Sequence, residues 1–276
     1  MGWEEKIETL PSRVIWLIIF LCFFIPIAHP IGLPAYPISE TTLILYNYLE
    51  ALPQGSVVLM DASVGFANMP DSGVPMVAVM EHLTRLPVKV IYRPRIAEST
   101  LVLQKVQGDL NIANRKVYGV DYVNLPFVEG VESALLSFLS DIYASVQTDL
   151  YGTPIGDVPM MKDIHSGQDI KIAICTISGY ADMEVRVYSV TNHIPLACLN
   201  FGGSGPYMEI YMNSGLMLTN LSGLRGGADY EKLISKPGVG IAALDALSLN
   251  YLSIFTLIVL GNIAYLRIRA RKKGVT

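Results

Sequence analysis

Residues 56–61, SVVLMD, with ASVG to Gly65 and then DSGVP at 71–75, decide the fold of this 276-residue chain. Four consecutive apolar residues between turn-forming ones are the pattern of a short strand buried on both faces. The helix that follows is announced by Pro75 in a first turn, with Asp71 or Ser72 as cap. Its Met76, Val79, Met80 and Leu83 stand at i, i+3, i+4, i+7 spacing, one buried stripe. Strand, polar turn and amphipathic helix in that order are half of a βαβ unit.

The same alternation extends in both directions. A helix at 39–52, with Ser39 as N-cap, precedes the strand and ends at Pro53-Gln54-Gly55. Downstream come a strand at 88–92, a helix at 98–115, a strand at 121–125 and a long amphipathic helix at 129–146. Residues 148–168 are rich in glycine and proline and read as a loop with at most a short helical turn. Strands at 171–177 and 195–201 follow, with helices at 181–190, 206–218 and 226–234. This order predicts an α/β domain: a doubly wound, mostly parallel five-stranded sheet, Rossmann-like or flavodoxin-like, with helices on both faces.

Apolar runs flank this domain. Residues 249–266, LNYLSIFTLIVLGNIAYL, carry no charge and are followed at once by Arg267, Arg269, Arg271, Lys272 and Lys273. Such a run can cross a bilayer as a helix, and its basic flank stays cytoplasmic. Residues 14–33, VIWLIIFLCFFIPIAHPIGL, predict a first span, broken near its end by Pro26, His29 and Pro30. The rival for that stretch, a cleaved signal peptide, lacks a basic lead-in and a small-x-small site. The resulting order is a cytoplasmic stub at 1–13, a span at 14–33, an extracytoplasmic domain at 35–246, a span at 249–266 and a basic cytoplasmic tail at 267–276. Both termini are then inside, in a multi-pass protein of the cell membrane. Of 20 Lys+Arg and 24 Asp+Glu, the domain carries 13 and 21, so it is acidic, which argues against a nucleic-acid partner. The lipid bilayer and other membrane subunits, or further copies of the chain, are the expected partners. Of the three cysteines, Cys175 and Cys198 lie in strand-like runs as buried thiols, though a bridge between neighbouring strands stays open.

In doubly wound sheets ligands bind beyond the carboxyl ends of the strands. Here those ends hold Asp61 and Ser63, Arg93 and Arg95, Asn124, Ser178 with Gly179, and Gly202, Gly203 and Ser204. The set suits a polar or anionic small molecule; the same residue types are also what ordinary turns use. No GxxxxGK[ST] or GxGxxG occurs, so no nucleotide cofactor is expected. The GGSGP of 202–206 departs from a GxSxG nucleophile elbow at Pro206, and His193 stands at the wrong end of the adjacent strand. The DASVG of 61–65 is similar to the DxSxS metal motif of von Willebrand factor A domains, with Gly65 in place of the last serine. One oxygen ligand is therefore missing. The histidines are scattered without zinc spacing, so no metal is expected.

Two further segments stand out. SGLRGGADYE at 222–231 places Arg225 among Gly226 and Gly227, ahead of Asp229, and reads as a hinge, a partner contact or a plain connector. Gly261 and Asn262 interrupt the second apolar run where a helix–helix contact would use them. The segments DYVNL (121–125), TDLYGTP (148–154), GLRGGADYE (223–231) and LGN (260–262) resemble an uncharacterised family of two-span prokaryotic membrane proteins. The resemblance implies architecture only: an α/β outer domain between two spans. The expected function is a non-catalytic subunit of a membrane complex, with a small-molecule receptor or an anchored hydrolase or von Willebrand-like domain as alternatives.

Overall fold

A computed structural model describes residues 2–33, 37–177 and 179–273. The chain divides into two compact units, one of residues 36–236 and one of residues 1–35 with 237–276.

The larger unit is an all-parallel, six-stranded sheet in the order β3-β2-β1-β4-β5-β6. Its strands are β1 (Val57–Ala62), β2 (Lys89–Pro94), β3 (Tyr122–Asn124), β4 (Ile170–Ile177), β5 (Leu196–Asn200) and β6 (Thr219–Ser222). Because strand side chains alternate between faces, β1 sends Val57 and Leu59 to one core and Val58 and Met60 to the other. Helices α3 (Glu40–Glu50), α4 (Gly73–Leu83), α5 (Ala97–Asp109) and α10 (Gly223–Leu233) cover the second face, through Leu45, Leu49, Met76, Val79, Met80, Leu83, Val102 and Tyr230. The first face takes α6 (Val131–Ser140), α7 (Ile142–Ser145), α8 (Asp182–Glu184) with its π-helical continuation Val185–Thr191, and α9 (Gly205–Asn213). Both faces being covered is why the strands read as unbroken apolar runs.

Three sequence expectations need correction here. The sheet has six strands, not five. The sixth, TNLS, has one apolar side chain and pairs only with β5, so local hydrophobicity does not reveal it. The helix expected at 129–146 breaks at Asp141, which is extended (φ −153°) and whose Oδ1 accepts the Ala144 N–H at 3.0 Å to start α7. The helix expected at 181–190 winds mostly as a π-helix. In addition, residues 148–168 carry three short 3₁₀ turns, held in part by Asp149. Its Oδ1 accepts the N–H groups of Tyr151 and Thr153, and its Oδ2 the Tyr118 hydroxyl.

The glycine-rich segment around Arg225 is helical rather than a hinge. Gly226 and Gly227 lie inside α10, where its backbone approaches β6 and α4. A Cβ at 226 would meet the Leu221 carbonyl carbon at 3.0 Å, and one at 227 would meet Val74 Cγ1 at 2.5 Å and Pro75 N at 3.1 Å. Arg225 Nε donates to Asp229 Oδ2 (2.8 Å) one turn on, and its Nη2 donates to the Pro37 carbonyl (2.6 Å). Asp229, fully buried, also accepts the Ser39 N–H (3.0 Å), so the start of α3 is tied to α10.

The smaller unit holds α1 (Trp3–Glu8), α2 (Ser12–Ala28) and α11 (Val239–Lys273). Among the described residues one helix, not two, is long and apolar enough to cross a membrane: Val239–Arg271. The first apolar stretch gives only 17 helical residues, because the helix ends at Ala28, just past Pro26, and His29 is extended. Helix α2 lies along α11. The inner stripe of α11 is Ala246, Asn250, Ser253, Leu257, Gly261 and Ala264, at three- and four-residue spacing. At one end Asp245, buried, accepts the N–H groups of Ile31, Gly32 and Leu33 at 2.7 to 2.8 Å. At the other end Glu4 meets Arg271 (3.1 Å) and Arg267 (3.7 Å), whose guanidinium stacks over Trp3.

Gly227→Ala tests the α10–α4 approach. Alanine favours a helix over glycine by about 1 kcal/mol, but overpacking costs about 1–3 kcal/mol. A net loss of stability is expected in chemical denaturation of the detergent-solubilised chain, whereas a gain would mean that α10 does not lie against Val74.

Candidate functional site

The strand order reverses between β1 and β4, the topological switch point where doubly wound folds open a crevice. Three of the expected site residues meet there. Asp61 ends β1 opposite Arg93 on β2 and Cys175 on β4. It is wholly buried, and a buried charge must be paired. Arg93 Nη1 donates to Asp61 Oδ1 at 2.8 Å, Arg95 Nε stands 3.4 Å from Oδ2, and the Tyr188 hydroxyl donates to Oδ2 at 2.8 Å. Arg95 also donates to Glu184 Oε1 and, at 3.3 Å, to the Thr176 carbonyl. Arg93 stacks over Phe138 at 5.3 Å.

Two carboxylates and two guanidiniums thus cancel inside the domain, all less than a tenth exposed. Burial works against the Arg95 charge, and the Asp61 and Glu184 carboxylates more than offset it, so its pKa stands above the ordinary arginine value. Burial, then the Asp61 charge, pushes the Tyr188 hydroxyl and the Cys175 thiol well up. Tyr188 therefore stays a hydrogen-bond donor. Cys175 and Cys198, register partners on β4 and β5, are free thiols, and burial raises both. A plugged crevice of this kind holds β1, β2 and the π-helix together and leaves no open cation for an anion.

The other expected residues are dispersed. The Ser63 N–H donates to Thr176 Oγ1 (2.6 Å). Asn124 pairs amide to amide with Gln107 at 2.7 and 2.9 Å. Ser178 lies outside the described residues. Gly202, Gly203 and Ser204 form a 3₁₀ turn leading into α9, and Ser204 is buried. His193 precedes the amino end of β5, whereas Ser204 follows its carboxyl end. Among the described residues no group of three or more His, Cys, Asp or Glu could hold a metal ion. Gly261 and Asn262 lie mid-way along α11. A Cβ at 261 would touch nothing within 4 Å, and Asn262 donates to the Ile258 carbonyl (2.8 Å).

Several residues were missed at the sequence level. Glu184 and Tyr188 share one face at i, i+4 spacing, which was the available signal. Asp71, Glu209, Asn220 and Ser222 line an open cleft of about 640 Å³ beside the ends of β5 and β6. They are scattered over the loop after β1, α9 and β6, and only the sheet order collects them. Far from both, the Glu81 carboxylate accepts from Arg85 (3.0 Å), Arg115 (2.7 Å) and Lys236 (2.9 Å).

Two substitutions probe these charges. Asp61→Asn strands the arginines, and a loss of about 3–5 kcal/mol in unfolding free energy is expected; an unchanged denaturation midpoint would refute the plug. Burial opposes the Glu81 charge, but its three cationic partners prevail and hold its pKa at about 2, below the ordinary 4.5. A depressed carboxylate adds stability above 4.5 that disappears as pH falls toward 2. Glu81→Gln should therefore be less stable than the parent at pH 7, with the gap closing between pH 4.5 and 2 in melts over that range. Comparison with known proteins returns no matching family model, no matching curated protein and no matching solved structure.

Proposed function

We propose that this chain is a membrane-anchored, non-catalytic subunit of a membrane protein complex, docking another protein through the carboxyl end of its sheet. One observation carries this. The loops after the first five strands each expose a large apolar side chain: Phe66, Ile96, Phe127, Tyr180 and Phe201, at 37 to 64% exposure. Tyr180 is extended by Tyr207 of α9, ring to ring at 5.0 Å. Exposed apolar rims of this kind mark protein contacts, and aromatic residues anchor them. The charges beneath the rim are used internally, which favours a structural surface over a reactive one.

Anchoring rests on α11 and on the basic residues that close it, which keep the tail cytoplasmic. The closed ends of the smaller unit support the finer topology. Glu4 is held to Arg267 and Arg271 while residues 31–33 are held to Asp245, so α2 runs antiparallel to α11 over the same depth. Seventeen helical residues rise about 25 Å, near the lower bound for a bilayer core. Both termini then face the cytoplasm and the α/β domain lies outside, in keeping with the resemblance to two-span membrane proteins. Asn262 adds an exposed amide on the outer side of α11, where a further helix could pack.

After mild detergent extraction, native mass measurement should find the 30.2 kDa chain in a larger assembly. Tyr180→Asp with Phe201→Asp should release the monomer without changing the thermal melt. A parent chain that is monomeric throughout would overturn the proposal. In intact cells an impermeant thiol reagent should label a cysteine placed at Glu129 and miss one placed at Thr276; the reverse pattern would overturn the topology.

A further inference from the structure

We infer that the outer face of α11 pairs in parallel with the same face of a second copy of this chain, through Asn262. The inference rests on the anchored reading above and names the partner of that helix. The side of α11 away from α2 carries Tyr251, Phe255, Ile258, Asn262 and Tyr265. Their spacing of four, three, four and three residues makes one heptad seam, the pattern by which two helices wind around each other. The four large side chains are 52 to 69% exposed, and Asn262 is exposed among them. The inner stripe, by contrast, is taken by α2. The seam closes at Tyr265, before the basic flank opens at Arg267.

Lipid suits the four large side chains and does not suit the amide. Asn262 Nδ2 donates to the Ile258 carbonyl at 2.8 Å. A carbonyl can be met only by the N–H end, which fixes the orientation of the amide. Its Oδ1 and its second N–H then point outward, with no partner among the described residues. Asn262 precedes Arg267 by five residues, about 7.5 Å of helix axis. That is too deep for so short a side chain to reach the headgroups. An amide acceptor left unmet in hydrocarbon is costly, and polar side chains within spans usually face protein.

A second copy meets this need with nothing added. Every copy in one membrane has the same orientation, so its Asn262 lies at the same depth. In a parallel heptad pair, equal positions face each other across the seam. Two amides meeting there exchange N–H and carbonyl groups, each supplying what the other lacks. A single asparagine in such a seam also fixes the register and the number of helices. A charged partner would bring its own charge into lipid, and a wholly apolar helix would leave the amide unmet.

Detergent dilutes a lateral helix pair to one chain per micelle, so the test is made in membranes. Alkali-washed membranes carrying the full chain with Cys22→Ser and Ile258→Cys are treated with copper phenanthroline. A disulfide-linked product of twice the chain mass is expected. Leu260→Cys, on another side of α11, should give almost none. The strength is read by energy transfer between copies labelled at a cysteine placed at Thr276 and diluted into lipid vesicles. Asn262→Leu should need roughly tenfold more chain per lipid for half-association, the order of one interhelical amide contact. Asn262→Gln, which keeps an amide, should lose less. A chain that alkali strips from the membrane would overturn the anchored reading and the pair together. An anchored chain without the Ile258→Cys dimer would overturn the pair alone. So would equal yields at 258 and 260, a cross-link to a different protein, or association that Asn262→Leu leaves unchanged.

Discussion

The buried Asp61 carboxylate is the constraint on which the rest of the domain depends. It sits at the carboxyl end of the central strand with no exposure to solvent, where an uncompensated charge is untenable. Arg93 and Arg95 arrive from β2 and the turn after it, and Tyr188 from the π-helix after β4. Glu184 then balances the second guanidinium. One charge thus orders four segments, on both sides of the topological switch point. It also fills the place where a doubly wound fold ordinarily receives its ligand.

The two units use the same device. In the smaller unit Asp245 gathers three consecutive backbone N–H groups, and Glu4 gathers two arginines. In the α/β unit Asp229 gathers Arg225 and the start of α3. Each is a carboxylate that closes a long loop by satisfying groups otherwise left without partners.

Much of the architecture was legible. The apolar runs at 56–61, 88–92, 121–125, 171–177 and 195–201 became β1 to β5, because strands covered on both faces must be apolar throughout. The sixth strand was not legible. Thr219, Asn220 and Ser222 have no strand-like pattern, and their place follows only from pairing with β5. Asp61, Arg93 and Arg95 were recognisable as a group from the strand-end rule, yet their meaning changed. The rule brings them together and is silent on whether they face solvent or one another. The glycines at 226 and 227 open an expected helix at 226–234, where propensity alone counts against them. Tertiary contact with Val74 and Leu221 reverses that, because a side chain would not fit.

By itself the sequence determined the α/β class, the positions of the first five strands, the acidic domain and the apolar, basic-flanked C-terminal helix. All of these follow from periodicity, run length and composition, which are local properties. Only the tertiary structure decided the six-stranded order, the 17-residue limit of α2, the neutralised plug at the switch point and the cleft that joins Asp71 to Glu209 and Asn220. Those depend on which distant segments become neighbours. Hydrogen bonds and ion pairs act over a few ångströms in space, and separation along the chain carries no record of them.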